Sequence, residues 1–378
     1  MSLEKIWLSS PHMGGKELDF IHSAFDENWI APLGPNVIGF EKDLEKYLGD
    51  RHVAALSSGT AALHLSLVLA GVERDDFVLC QSMTFSASAN PITYLGAKPI
   101  FVDSEPETWN ICPLALKQAI DFAIANHKKP KAVIVVHLYG MPAKIQEIKT
   151  LCDSYNITLI EDAAEALGSS YAKQACGTFG DFGILSFNGN KIITTSGGGA
   201  LVCKDKATKE RSIFLATQAR DAAPHYQHSE IGYNYRLSNI AAGIGRGQML
   251  VLDEHIAARR KMNEFYRELF KDAGGVEVFK EPTEEYYSNH WLSAILIDPT
   301  KTKRNWDKEE LRLALEKENI ESRPLWKPMH LQPVFKDAPF VGKTVASDLF
   351  ANGLCLPSGS NLTDADKLRI AAVIKKFL

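Results

Sequence analysis

The stretch KAVIVVHLYGMPAKIQEIKTLCDSYNITLIEDAAEALGS, residues 131–169, decides the fold class. It opens on an unbroken apolar run, Lys131–His137. A segment with helical spacing follows, AKIQEIKTLCDSY (143–155), and then a second apolar run, Ile157–Asp162. A strand that is apolar on both faces is buried on both, and strand–helix–strand is the unit of a parallel sheet. Outward from there the pattern repeats. HVAALS (52–57), DFVLC (76–80), Lys98–Asp103 and DFGILSF (181–187) read as buried strands. TAALHLSLVLAG (60–71) and PLALKQAIDFAIAN (113–126) read as helices between them. Upstream, KELDFIHSAFDEN (16–28) and VIGFEKDLEKYL (37–48) have helical spacing, the second with Asn36 as its cap and Gly49 as its stop.

After about Ser238 the character changes. Residues 238–275 carry one long helical pattern, HWLSAILI (290–297) is strand-like, and helices follow near 307–319 and at the end of the chain. The expectation is an α/β protein. Residues 1–245 form a large domain with a mostly parallel central sheet, and residues 246–378 form a smaller α+β domain.

Composition bounds the partners. The chain has 378 residues, 45% hydrophobic and 23% charged, as in ordinary globular proteins, which excludes disordered and fibrous classes. Lys plus Arg number 42 and Asp plus Glu 46, so the net charge is 42 − 46 = −4. No basic excess points to nucleic acid or an anionic membrane surface. Six cysteines without a CxxC fit a reducing cytoplasm. No signal-like opening and no run near ~18 apolar residues predicts a membrane span.

Five segments could carry chemistry. In SSGTAALHL (57–65) a strand ends and a helix begins, so Gly59 and Thr60 can offer backbone N–H groups and a hydroxyl to an anion. An ordinary helix cap is the alternative. Asp162 ends an apolar strand at the carboxyl edge, where open α/β sheets bind ligands. A buried carboxylate there needs a partner, either a protonated ring nitrogen or a structural cation. In SFNGNKIITTSGGGALV (186–202), Lys191 follows a buried strand and precedes a glycine-rich turn, a setting for a nucleophilic amine or for a solvated lysine. GYNYRLSN (232–239) places Asn234 and Arg236 among aromatics at a helix entry. SRPLWKPMH (322–330) stiffens Arg323, Trp326, Lys327 and His330 between prolines, as suits a phosphorylated ligand or a plain surface loop.

In that order, and with APLGPNVIGFE (31–41) and EDAAEALGS (161–169), these motifs resemble the DegT/DnrJ/EryC1/StrS family of sugar aminotransferases, over nearly the whole chain. The resemblance implies the type I aspartate-aminotransferase fold and pyridoxal 5′-phosphate (PLP) as cofactor. It implies Lys191 as the covalent anchor of PLP and Asp162 as the partner of its ring nitrogen. Glu165 lies where many members carry Gln or His near the ring oxygen. Phe85, in MTFSASAN (83–90), stacks on the ring. Gly59, Thr60, Ala61 and Ser186 hold the phosphate, and Asn188 replaces a His or Tyr. Asn234 reaches the cofactor phosphate of a neighbouring subunit, which implies a homodimer with shared sites. Trp326, Lys327 and His330 are implied sugar-nucleotide contacts. SFNGNKIITTSGGG and IAPLGPN are most similar to enzymes that aminate C4 of a UDP-linked 4-keto-6-deoxy-N-acetylglucosamine, as in bacillosamine formation, with L-glutamate as donor.

Other readings are a GDP- or dTDP-linked keto-sugar as substrate, a 3-dehydratase, or a non-catalytic sensor on the same fold. A dehydratase of this kind carries His in place of the lysine. A dinucleotide dehydrogenase needs GxGxxG after the first strand, whereas Gly243, Gly245 and Gly247 sit in a helix-like segment. His225 and His228 have no converging carboxylate or cysteine set, so no metal site is expected.

Overall fold

The computed structural model describes residues 4–49 and 51–378. Helices α1 (Glu17–Asp26) and α2 (Pro35–Leu48) lead into β1 (His52–Leu56) and α3 (Gly59–Leu69). Then come β2 (Phe77–Gln81), the short α4 (Asn90–Tyr94), β3 (Lys98–Val102), α5 (Pro113–Ala125), β4 (Ala132–Val136), α6 (Ile145–Tyr155) and β5 (Thr158–Asp162). Two-residue strands β6 (Ser170–Tyr171) and β7 (Gln174–Ala175) precede β8 (Phe182–Ser186), β9 (Gly199–Cys203) and α7 (Lys206–Ala216).

The large sheet has the order β1-β9-β8-β5-β4-β2-β3-β14, where β14 is Phe340–Val341. Every pairing is parallel except those of β9, which runs against both β1 and β8. The glycine-rich run after Lys191, expected to be no more than a tight turn, thus feeds a buried strand. Side chains alternate between faces along each strand. Ile134 packs with Leu63, Leu65 and Leu67 of α3, while Val133 and Val135 pack with Leu116 and Ile120 of α5 and Ile148 of α6.

The long helical pattern is two helices, α8 (Asn239–Met249) and α9 (Leu252–Phe270), with a break at Leu250–Val251. The expected boundary after residue 245 therefore falls inside α8. The remaining elements are β10 (Val276–Val278), β11 (Tyr286–Tyr287), β12 (Ser293–Ile297), α10 (Lys308–Lys317), β13 (Arg323–Pro324), α11 (Val345–Asn352), β15 (Gly353–Leu356) and α12 (Asp364–Ile374). β10, β12, β15 and β13 form an antiparallel sheet, covered by Met262, Tyr266 and Phe270 of α9 and by Leu311, Leu315 and Ile370.

Two crossings tie the sheets together. β14 leaves the C-terminal segment to pair with β3 of the large sheet. The N-terminal segment goes the other way. Ile6 bridges Ile320, Glu321 N–H donates to the Ile6 carbonyl, and Ser358 N–H donates to the Leu8 carbonyl. No helix among the described residues is long and apolar enough to cross a membrane.

Candidate active site

A cavity of about 590 Å³ opens where the large sheet meets the small one. Ser57, Val136, Asp162 and Ser186 bring the carboxyl ends of β1, β4, β5 and β8 to it, the place where open α/β sheets bind ligands. Leu8 and Ser9 come from the N-terminal segment, and Arg323, Pro324, Trp326 and Cys355 from the small sheet.

At one end lies the start of α3. Ser58 is its cap: Oγ accepts from Ala61 N–H at 3.0 Å. Gly59 and Thr60 line the cavity in the first turn, where helix N–H groups have no intrahelical acceptor. Ala61, expected to hold the phosphate, does not line the cavity, and its N–H bonds Ser58 Oγ. β9 passes so close to this turn that a Cβ on Gly199 would lie 2.3 Å from Gly59 N. Glycine there lets strand and helix start meet as one concave cradle, which Ser186, paired with Gly199, completes. Such a cradle of first-turn N–H groups and hydroxyls fits a phosphate.

Asp162 is buried at the end of β5. Its Oδ2 accepts from Ser88 Oγ at 2.6 Å and its Oδ1 from Ala164 N–H at 3.2 Å, while Ser88 is itself bonded to Thr84 Oγ1 at 2.6 Å. Among the described residues no cation pairs with it, so the carboxylate fits the positively charged ring nitrogen of PLP.

Lys191 stands in the loop between β8 and β9. Its Nζ is 3.1 Å from Glu165 Oε1 and 4.2 Å from the centre of the Trp291 ring. Glu165 is buried, and its Oε2 accepts from Tyr139 N–H at 2.8 Å. Tyr139 takes φ 55°, which turns that N–H toward the carboxylate. Burial raises the Glu165 carboxyl to about 7, with the Asp162 charge pushing the same way, against the pull of the Lys191 ammonium and the Tyr139 N–H. Next to Tyr139, Gly140 has φ 91°, and a Cβ there would lie 1.9 Å from Asn289 Oδ1. Asn289 in turn donates to the carbonyls of Glu165 and Leu167.

Aromatic rings form another wall. Phe85 and Trp326 lie 5.7 Å apart between centres, Tyr139 and Trp326 5.2 Å, and Trp291 and Trp326 6.2 Å. Phe85 is 57% exposed, so its ring is free to meet a ligand. Asn188 also lines the cavity.

The structure does not bring every expected residue here. Lys327 points to solvent and is not among the lining residues. His330 turns away and stacks on Phe340 at 3.8 Å, with Nδ1 bonded to Ser82 Oγ at 2.6 Å. Asn234 is exposed and outside its own chain's cavity. Arg236 pairs with Glu41 at 2.7 Å. Sequence reasoning missed Ser9, Asn190, Trp291 and the Ser88 partner of Asp162, and left Arg323 without a role. Arg323 lines the cavity and is tethered by Glu321 Oε1, at 3.0 Å to Nε and 2.8 Å to Nη2. The SRP proline signal marked that segment, but nothing local marked Trp291.

Comparison with known proteins points the same way as the geometry. Residues 11–375 match the DegT/DnrJ/EryC1/StrS aminotransferase family. The chain is 51% identical over 375 residues to the putative pyridoxal phosphate-dependent aminotransferase EpsN of Bacillus subtilis, covering 98% of this chain and 95% of that protein. It is 36% identical over 367 residues to a GDP-perosamine synthase of Escherichia coli O157:H7, covering 97% of each. A crystal structure of a DegT DnrJ EryC1 StrS aminotransferase from Brucella abortus superposes with a TM-score of 0.88 at 30% identity, covering 96% of this chain and 95% of that one. The chain belongs to the DegT/DnrJ/EryC1/StrS aminotransferase family, PLP-dependent enzymes of the type I fold that act on nucleotide-linked sugars.

Proposed function

We propose that this enzyme moves the amino group of L-glutamate to the C4 keto group of UDP-4-keto-6-deoxy-N-acetylglucosamine, for the synthesis of cell-surface glycans. The observation that carries the aminotransfer is the meeting of Lys191, Glu165 and Asp162 in one cavity with the start of α3. The UDP-linked substrate rests on the SFNGNKIITTSGGG and IAPLGPN motifs.

In this reading Gly59, Thr60 and Ser186 hold the cofactor phosphate, Phe85 packs on the ring, and Asp162 keeps the ring nitrogen protonated. PLP, when bound, supplies an electron sink for the pair left behind when the donor loses its α-proton. Lys191 first anchors the cofactor. Once displaced by the donor, its Nζ would take the donor's α-proton and deliver it to the cofactor carbon it had itself occupied, so that the amino group stays behind for the keto-sugar. Glu165, whose carboxyl burial raises, would hold a proton for the ring oxygen that the family places near it, which a permanently charged carboxylate would oppose. The same groups run in reverse on the keto-sugar, so one lysine serves both halves.

Arg323 is the cation that the small-domain wall offers to an incoming anion, with Trp326 beside it. Asn234, being outside its own cavity, is assigned to the site of a partner in a homodimer. The exposed apolar side chains of Phe25, Trp29, Ile30, Leu33 and Ile38 support a covered face of that kind.

The test is a turnover panel with L-glutamate and UDP-, GDP- and dTDP-linked 4-keto-6-deoxy sugars, read by mass spectrometry. The amino-sugar product should form fastest from the UDP-N-acetyl substrate. Preference for the GDP sugar, the chemistry named for the Escherichia coli relative, would overturn the nucleotide assignment while leaving aminotransfer intact.

A further inference from the structure

The backbone on either side of Lys191 is held by side chains from three other segments. The Asn190 carbonyl, just before it, accepts from Ser9 Oγ at 2.7 Å and from Trp291 Nε1 at 2.7 Å. The Ile192 carbonyl, just after it, faces His255 Nδ1 at 3.4 Å. These three donors come from the N-terminal segment, the entry to β12 and α9. What joins them is one face of α9. Arg259 lies one turn beyond His255, at the i,i+4 spacing that places two side chains on the same face. Its Nη2 donates to Ser9 Oγ at 2.9 Å and its Nη1 to the Trp291 carbonyl at 2.6 Å.

Stability is a poor reason for this arrangement. Arg259 is 1% exposed, and among the described residues no carboxylate pairs with it. Its two bonds go to a hydroxyl and a carbonyl, and its Nε has no partner. Removing a guanidinium from water without a counter-charge is unfavourable. Burial pulls its pKa to about 9, which still leaves it charged near neutrality. Burial, helped by its neighbour His12, pulls His255 to about 4, so its ring is neutral and free to donate through Nδ1. As a clamp the same groups make sense. One rigid helix reaches the Ile192 carbonyl directly through His255 and the Asn190 carbonyl by way of Ser9 and Trp291, which Arg259 holds, and the Trp291 ring lies against Lys191 Nζ.

We propose that His255 and Arg259, acting with Ser9 and Trp291, are positioning residues that fix the backbone on both sides of Lys191 and so set where its amine can swing. The inference rests on Lys191 being the reactive amine. A misplacement on the scale of 1 Å can lower a rate by about a hundredfold, so a loosened loop should show in the proton-transfer step.

Ser9→Ala and Trp291→Phe each remove one donor to the Asn190 carbonyl, and the phenyl ring can still face Lys191. Ser9→Thr keeps the hydroxyl. The PLP-loaded enzymes are mixed with L-glutamate in a stopped-flow instrument and the half-reaction is followed by the cofactor's absorbance. The expected result is a maximal rate about tenfold lower for each single variant, with the half-saturating glutamate concentration within about twofold of wild type. The double variant should deviate from additivity, because both donors serve one acceptor. Ser9→Thr should restore the rate. Arg259→Lys, whose single amine cannot bond both Ser9 and the Trp291 carbonyl, should lower the same rate; should it fail to fold, the other four variants decide. An unchanged maximal rate in the double variant overturns the proposal, as does a loss confined to half-saturation or to melting temperature. Should wild type itself fail to react with glutamate, the function assigned above is wrong. The clamp is then judged by the resting absorbance band, whose pH titration must move in the double variant.

Discussion

Glu165 joins two demands in one side chain. It pairs with Lys191, yet burial raises its carboxyl to about 7. The folded protein therefore holds this proton more tightly than the unfolded chain does. Between pH of about 4.5 and 7 the native state carries the extra proton, so its stability falls as pH rises through that window. The change is of order 3 kcal/mol across the window. Glu165→Gln, compared with wild type by urea unfolding of the cofactor-free proteins at pH 5 and pH 8, should gain on wild type at the higher pH. Parallel pH dependences would show that Glu165 is not the group. Lys191→Ala should abolish turnover, and borohydride reduction of the wild-type holoenzyme should fix the cofactor on the peptide that holds Lys191. A label found elsewhere would remove Lys191 from its role. Arg323→Gln should raise the KM of an anionic substrate about tenfold or more, since a guanidinium–carboxylate or –phosphate pair is charge-assisted. Steady-state kinetics with each substrate varied in turn would show which one it serves. That Asp162 and Lys191 would line one cavity was legible, because Asp162 ends an apolar strand at the carboxyl edge and the family motifs pair it with Lys191. His330 was not, because a sequence does not tell which way a loop side chain turns, and here it turned onto Phe340. Trp291 was hidden in a run read only as a strand. The strand begins at Ser293, so the ring sits in the preceding turn and faces Lys191.

At the level of elements, the helices and parallel strands followed from apolar periodicity, while their ends did not. Asn36 has the composition of a cap, but Pro35 takes the first helical position and Gly34 the cap. Asn36 instead donates from inside the helix to the Phe20 carbonyl. The buried start of α2 is served from a distance: Asn239 Oδ1 accepts from the N–H groups of Asn36 at 2.9 Å and Val37 at 3.2 Å. Asn239 is also the first residue of α8, so one amide joins two helices. Asn239→Ala should lower stability by about 1–2 kcal/mol, as loss of a helix cap does, measured as a shift in the urea midpoint. No change would mean that water takes over the cap. The reversed strand β9 was missed because its glycines signal a turn. One of them, Gly199, is where the strand passes close to the start of α3, which only the folded sheet reveals.

The whole molecule makes its strongest demand on assembly. Asn234 is exposed and outside its own chain's cavity, and its proposed assignment to a partner's site can be tested by complementation. Lys191→Ala and Asn234→Ala homodimers should each be impaired. Co-expressed, they should regain part of the activity, because a mixed dimer has one site carrying both changes and one carrying neither. No recovery in verified heterodimers would return Asn234 to its own chain. Sedimentation at micromolar concentration should show a dimer or a multiple of one. The change from a mostly parallel to an antiparallel sheet was legible as a change of pattern after about Ser238, but the exchange of segments between the sheets was not, because pairing partners so far apart leave no local trace.

That exchange has a consequence during synthesis. Ile6 pairs with Ile320, and Leu8 with Ser358. At about 5–20 residues per second, roughly a quarter of a minute to a minute separates the emergence of the first segment from that of its partner. Throughout that interval the opening residues leave the ribosome with no strand to join, while the parallel core behind them can already form. The cavity wall that includes Ser9 is thus the last part to close. A chain that stops before β15 lacks both Ser358, the partner of Leu8, and Cys355 of the cavity wall, so its site stays open on that side.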